Sequence, residues 1–230
     1  MNVALAAKKG IPVVNTRNFS TEAVAERALM MALNLSCKIP LLIKEGWKKN
    51  FQRYQSIELK NRCAGIIGLG QIGKTIAEKC QSLGMEVVYW SRHSRNNQLK
   101  LVSLRKLMLT ADVIFVALAK NQDTKGLIGD HLIKSIQTHS IFISVAPIFS
   151  GDSSFLAYNH KLILDRVAKN KLTGYGFEDE AGGTFNNYRG NVWAEPVLAW
   201  ASEESLKRNA KNWTETIIAA AHKKYPNRVN

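Results

Sequence analysis

The chain is poor in cysteine, and the little it has is not arranged for chemistry. Cys37, Cys63 and Cys80 are odd in number and match no zinc or redox spacing, which leaves free, buried thiols as their reading. No apolar run reaches the roughly 18–20 residues that a membrane span requires. The opening segment, MNVALAAKKGIP, puts its basic residues after a short apolar run. A secretory signal has the reverse order, so the expected location is the cytoplasm. Internal repeats and low-complexity tracts are missing as well. Acidic residues are scarce, 18 against 32 basic ones, for a net charge of +14. The basic residues are scattered, with only short clusters such as Lys48-Lys49 and Lys223-Lys224, and no nucleic-acid-binding module accompanies them. This describes a basic solvated surface that attracts anionic cofactors and holds nucleic acid only non-specifically, in a salt-dependent way.

What is present suits a soluble globular protein: 46% hydrophobic and 22% charged residues in 230 positions, enough for one large domain or a domain with a fragment of another. Ile11-Pro12-Val13-Val14-Asn15 reads as a short strand. Ser20-Thr21-Glu22 reads as a helix start, with a capping hydroxyl and an acid in the first turn. The stretch from Ala23 to Leu42 is apolar on most sides, the pattern of a helix buried inside a domain or against a partner subunit, and Pro40 is placed to kink or end it. Strands are then expected at 64–68, 85–90, 113–117, 141–145 and 172–177, alternating with helices near 72–83, 101–109, 131–136 and 161–169. Most of these strands are continuous apolar runs, which marks a sheet covered on both faces by helices. The fold expected is therefore α/β, a doubly wound parallel (Rossmann) sheet. The loop from Asp179 to Asn191, rich in Gly and Asn, should be irregular, and a last helix is expected from about Glu203 to His222.

Gly68-Leu69-Gly70-Gln71-Ile72-Gly73 is a GxGxxG run that follows a strand and opens a helix, the context in which such a run binds a dinucleotide. Gly68 permits the tight turn, Gly70 the approach of the pyrophosphate, and Gly73 the packing of helix on strand. The helix N-terminus offers free amides to the phosphates. At the end of the second strand an acid would select NAD by binding the ribose hydroxyls. The chain has Ser91 there, followed by Arg92 and Arg95, which suits the 2′-phosphate of NADP.

Several separated runs carry a family signature: Gly10 to Asn15, Ser20 to Glu26, Gly65 to Lys74, Ala111 to Val116 and Thr124 to Ile128. Together they resemble the D-isomer-specific 2-hydroxyacid dehydrogenases over most of residues 3–205. The resemblance implies a dinucleotide-binding domain over 1–222, with its Rossmann core at about 62–178, only a remnant of a second, substrate domain, and a polar tail at 223–230. It implies that the chain begins inside the family pattern, without the half that closes over substrate. It implies hydride transfer between nicotinamide and a small 2-hydroxy or 2-keto acid, and a homodimer paired through the helix at 23–42. With the glycine run and the end of the second strand, it gives the cofactor set Val24, Gly68, Gly70, Gln71, Ile72, Gly73, Ser91, Arg92, Arg95 and Glu178, with no metal.

The resemblance also implies an arginine for the substrate carboxylate, a histidine for the proton and a glutamate that tunes the histidine. Here Pro147 stands in the arginine's place, just ahead of a loosely matching segment, Ile148–Tyr158, and Val197 stands in the histidine's. Glu178 and Glu180 are the acids left as catalytic candidates. Of the five histidines (His93, His131, His139, His160 and His222), His160 lies nearest the altered segment and is the candidate substitute acid. Two functions therefore stand side by side: an NAD(P)-dependent oxidoreductase, and a cofactor-binding sensor or scaffold with impaired catalysis.

Overall fold

The computed structural model describes residues 2–149, 153–180 and 187–230. The chain separates into two compact units, residues 2–23 with 199–230, and residues 24–198.

In the larger unit, seven strands form one sheet: β1 (Cys63–Ile67), β2 (Glu86–Trp90), β3 (Lys100–Leu101), β4 (Val113–Val116), β5 (Ile141–Ser144), β6 (Gly174–Glu178) and β7 (Val192–Glu195). Their order is β3-β2-β1-β4-β5-β6-β7 and every pairing is parallel. Such a sheet needs a crossover between successive strands, and helices supply it from β1 to β2 and from β3 through β4 and β5 to β6, while residues 91–99 join β2 to β3 without a helix. β4 and β5 are buried at every position, as strands covered on both faces must be. One core packs Ile66, Phe115 and Ile143 against α2 (Thr21–Ser36) and α4 (Gln71–Ser82). The opposite core packs Ile67, Ile114 and Phe142 against α5 (Leu104–Thr110), α6 (Asp130–Lys134) and α7 (His160–Ala168). The strand order reverses between β1 and β4, and open α/β sheets bind ligands outside the carboxyl ends of the strands at such a point.

The smaller unit holds α1 (Val3–Lys8) and α8 (Glu203–Ala221), the latter started by a capping box of Ser202 and Ser205. The strand expected at 11–15 is not formed. Val14 makes a single antiparallel bridge to Arg228, and the Asn230 side chain bonds Val13 N and Ile11 O.

Three boundaries differ from those expected. The helix at 23–42 breaks at Lys38, which adopts φ 54°, and Pro40 sits in the first turn of a new helix, α3 (Ile39–Lys44). Proline has no N–H to lose there, so it starts this helix and does not end the previous one. Leu101, expected near the start of a helix, belongs to the edge strand β3 (Lys100–Leu101), and Ser103 caps α5 after it. The run Val192–Glu195, not foreseen as a strand, is β7, with alternately buried and half-buried residues. Of the loop expected at 179–191, residues 181–186 lie outside the described residues, as do 150–152 of the segment 148–158. Among the described residues, no helix is long and apolar enough to cross a membrane and no acid, histidine and cysteine cluster could hold a metal.

Candidate functional site

The glycine turn joins β1 to α4 and is built by steric exclusion. Gly68 has φ +97°, and a Cβ there would lie 2.6 Å from the carbonyl oxygen of Ala117. Its N–H donates to Trp90 O at 2.8 Å, which fixes the turn between the ends of β1 and β2. A Cβ on Gly73 would sit 2.0 Å from Gly68 O, so only glycine lets α4 pack this closely. Gly70, the N-cap of α4, is different: it has ordinary extended backbone and no atom within 4 Å of a would-be Cβ. The space above it is open, and no side chain caps the helix. The first amides of α4 therefore face an open cradle where a phosphate fits. Gln71 is exposed and Ile72 half-buried beside it.

Ser91 follows β2 directly. Its hydroxyl accepts from Ser94 N at 3.2 Å, and Arg95 donates to the Ser91 and Ser94 carbonyls. Arg92 reaches Asp123 O at 3.4 Å. Both guanidiniums are exposed and, among the described residues, have carbonyl partners and no carboxylate, so charge for an anion remains beside the glycine turn. Val24 is buried in the first turns of α2.

Glu178 ends β6, across β4 and β5 from the glycine turn, or roughly 14 Å at ~4.8 Å per strand. It is buried and accepts from Leu198 N at 2.7 Å, which ties the end of β6 to the segment after β7. Glu180 lies past the strand, its N–H bonded to Ile148 O. Glu195 pairs in register with Glu178 on the neighbouring strand and receives Trp193 Nε1–H at 3.0 Å, with Arg27 at 3.5 Å. Burial raises its carboxyl above the usual range, against the pull of Trp193 and Arg27. Sequence reasoning did not single out Glu195. The signal was the short alternation of Val192–Glu195.

The structure does not place His160 for proton transfer to a substrate. Its Nδ1 lies 2.7 Å from the Tyr175 hydroxyl, which in turn lies 2.7 Å from that of Tyr158, and its ring packs edge-on against Phe177. These contacts belong to the core under α7. Burial pushes its pKa down to about 4, so the ring is neutral at pH 7. A free histidine takes up a proton at about 6.5, so the unfolded chain binds it first. Stability from this group is thus complete above pH 7 and is lost as pH falls from about 6.5 towards 4, by up to about 3 kcal/mol. His160→Gln should flatten that part of the stability-against-pH curve in urea melts. An unchanged slope would refute the assignment.

Pro147 carries no charge, and the cation nearest it in the described structure is Lys120, which leaves β4 and donates to Pro147 O at 3.0 Å. Val197 is half-buried after Pro196. The catalytic pair that the resemblance implies is therefore absent from these two places.

A family profile described as D-isomer specific 2-hydroxyacid dehydrogenase, NAD binding domain, matches residues 29–147. The D-3-phosphoglycerate dehydrogenase of Archaeoglobus fulgidus is 32% identical over 155 residues, covering 64% of this chain and 29% of that protein. The glycerate dehydrogenase of Methylorubrum extorquens is 28% identical over 234 residues, covering 94% of this chain and 70% of that protein. Among solved structures, an acyclic imino acid reductase in complex with NADPH and D-Arg superposes with a TM-score of 0.86 at 22% identity, over all of this chain and 74% of the other. That likeness is one of fold.

Proposed function

Because the chain belongs to the D-isomer specific 2-hydroxyacid dehydrogenases through their NAD-binding domain, we propose that it holds a nicotinamide dinucleotide along the carboxyl edge of its sheet and passes hydride between it and a small 2-hydroxy or 2-keto acid. The observation that carries this is the cradle at Gly70, open above a helix N-terminus and walled by two glycines that no other residue can replace. Gly68, Gly70, Gln71, Ile72 and Gly73 take the pyrophosphate, Val24 flanks the cofactor, and Glu178 meets the nicotinamide end. The bound cofactor supplies the hydride. The chain supplies orientation and charge.

NADP is preferred to NAD in this reading. Ser91 leaves room where an acid would repel a phosphate, and Arg92 and Arg95 bring positive charge. Fluorescence titration should show NADPH binding tighter than NADH, and Ser91→Asp should weaken NADPH by about tenfold or more through like-charge repulsion. Tighter NADH binding by the unaltered chain would contradict the preference.

A second reading has its own support. Pro147 and Val197 favour a sensor or scaffold that binds cofactor without turnover, Glu178 and Glu180 being the acids that remain. A panel of 2-keto acids with NADPH and NADH, followed at the nicotinamide absorbance, separates the two: turnover above background supports the oxidoreductase, and none across the panel supports the binder. A cytoplasmic homodimer belongs to the same proposal. α2 spends most of its apolar face on the sheet, but Leu33, Trp47 and Phe51 stay exposed on and after it. A monomeric mass by light scattering would contradict the dimer.

A further inference from the structure

We propose that Lys120 is a substrate-binding cation, whose ammonium holds the carboxylate of the 2-hydroxy or 2-keto acid beside the nicotinamide. The proposal rests on the reading above that a dinucleotide lies along the carboxyl edge of the sheet. Lys120 sits in the loop that leaves β4, and β4 borders the point where strand order reverses. Ligands of open α/β sheets bind outside the strand ends at that point.

The ammonium is held in place on the neighbouring strand's exit. It donates to Pro147 O at 3.0 Å, just past the end of β5, and lies 5.2 Å from the centre of the Phe149 ring. Phe149 is itself 46% exposed, so the cation is aligned by an aromatic face without being closed off by it. One carbonyl uses one of three ammonium donors. Among the described residues no carboxylate pairs with Lys120, whereas Glu45, Asp112, Asp165, Glu195 and Glu203 all have a cation. A half-buried, aligned cation with spare donors lowers the free energy of any carboxylate brought to it, and a 2-hydroxy or 2-keto acid brings one on the carbon next to the reacting centre.

Pro147 and Lys120 are thus complementary: the position expected to carry a guanidinium contributes only its carbonyl, and that carbonyl anchors an ammonium arriving from the adjacent strand. Lysine is a compact point charge without a fork. It holds one carboxylate oxygen firmly and leaves the plane of the group free to turn. Substrate orientation must then come from other contacts, and a range of small 2-keto acids should be accepted.

The test uses oxamate, an unreactive 2-keto acid analogue, added to the whole chain already saturated with NADH. Binding is read from nicotinamide fluorescence, so turnover is not needed. Oxamate should bind the cofactor-loaded wild type, Lys120→Met should weaken it by about tenfold or more, and Lys120→Arg should keep it within about threefold. NADH affinity should be the same in all three. Oxamate binding that survives Lys120→Met, or no oxamate binding to the NADH-loaded wild type, overturns the proposal and leaves the cofactor site standing. Cofactor binding is checked before oxamate is added: failure of both NADH and NADPH to bind overturns the cofactor reading and the proposal together, and where only NADPH binds, the same oxamate titrations are run on the NADPH-loaded chain.

Discussion

Gly70→Val should leave the protein folded and remove its affinity for nicotinamide dinucleotides. The backbone at Gly70, φ −75° and ψ −169°, is one that valine adopts readily, and nothing lies within 4 Å of the new Cβ. Loss of a glycine N-cap in favour of an apolar residue costs up to about 1 kcal/mol, so the melting temperature should fall by no more than about 4 °C for a chain of this size. The isopropyl group then fills the space over the first amides of α4. Phosphate oxygens cannot approach those amides, and the charge-assisted hydrogen bonds they would accept are lost. Affinity should drop by about 100-fold or more, equivalent to ~2.7 kcal/mol. Circular dichroism melts and NADH or NADPH titrations on the same preparation check both halves. A variant that binds as tightly as the wild type would mean that the cofactor does not use this turn.

Gly73→Ala should behave in the opposite way and damage the fold. Its methyl group would lie 2.0 Å from Gly68 O and 3.3 Å from Ile66 Cγ2, both on the strand and turn that α4 packs against. A carbonyl in a tight turn cannot rotate away cheaply, because Gly68 is pinned by its N–H bond to Trp90 O and by the wall of Ala117. α4 must move off the sheet, taking Ile76, Ala77 and Cys80 out of a core in which they are almost wholly buried. Overpacking of this kind costs about 3 kcal/mol or more, a large share of a stability of ~5–15 kcal/mol. The melting temperature should fall by roughly 6–12 °C. Gly126→Ala is the control: its φ is +62° but its surroundings are open, so the cost should stay near ~1 kcal/mol. Equal losses at the two sites would show that close packing at Gly73 is not what demands glycine.

The contrast between these glycines explains why the cofactor turn was readable in the sequence. Gly68 and Gly73 each have a steric reason within the fold for lacking a side chain, whereas Gly70 has one only in the space that a bound phosphate would take. The inner strands were readable because two helical layers force continuous apolar runs, as in Val113–Val116 and Ile141–Ser144. The edges were less legible. β3 is two exposed residues, Lys100–Leu101, whose strand character comes only from pairing with Val88 and Tyr89. β7 is four residues long, and its alternation is too short to stand out. The break before α3 depends on a left-handed lysine, Lys38, a conformation that composition does not announce.

The chemistry end of the site divides in the same way. The loss of charge at position 147 and of imidazole at position 197 could be read directly, since both are changes of residue type. The contact that answers the first, between Lys120 and the carbonyl of Pro147, spans 27 positions and involves a backbone atom. Local sequence patterns carry no trace of such a contact. His160 shows the converse. Its residue type suits acid–base work, yet the Tyr175 hydroxyl and the Phe177 ring commit it to the core.

The most direct test of the central claim is titration of the purified wild-type chain with NADPH and with NADH, followed by nicotinamide fluorescence. Saturable binding of one cofactor per chain, tighter for NADPH, is the predicted result. No saturable binding of either nucleotide up to millimolar concentration would contradict it.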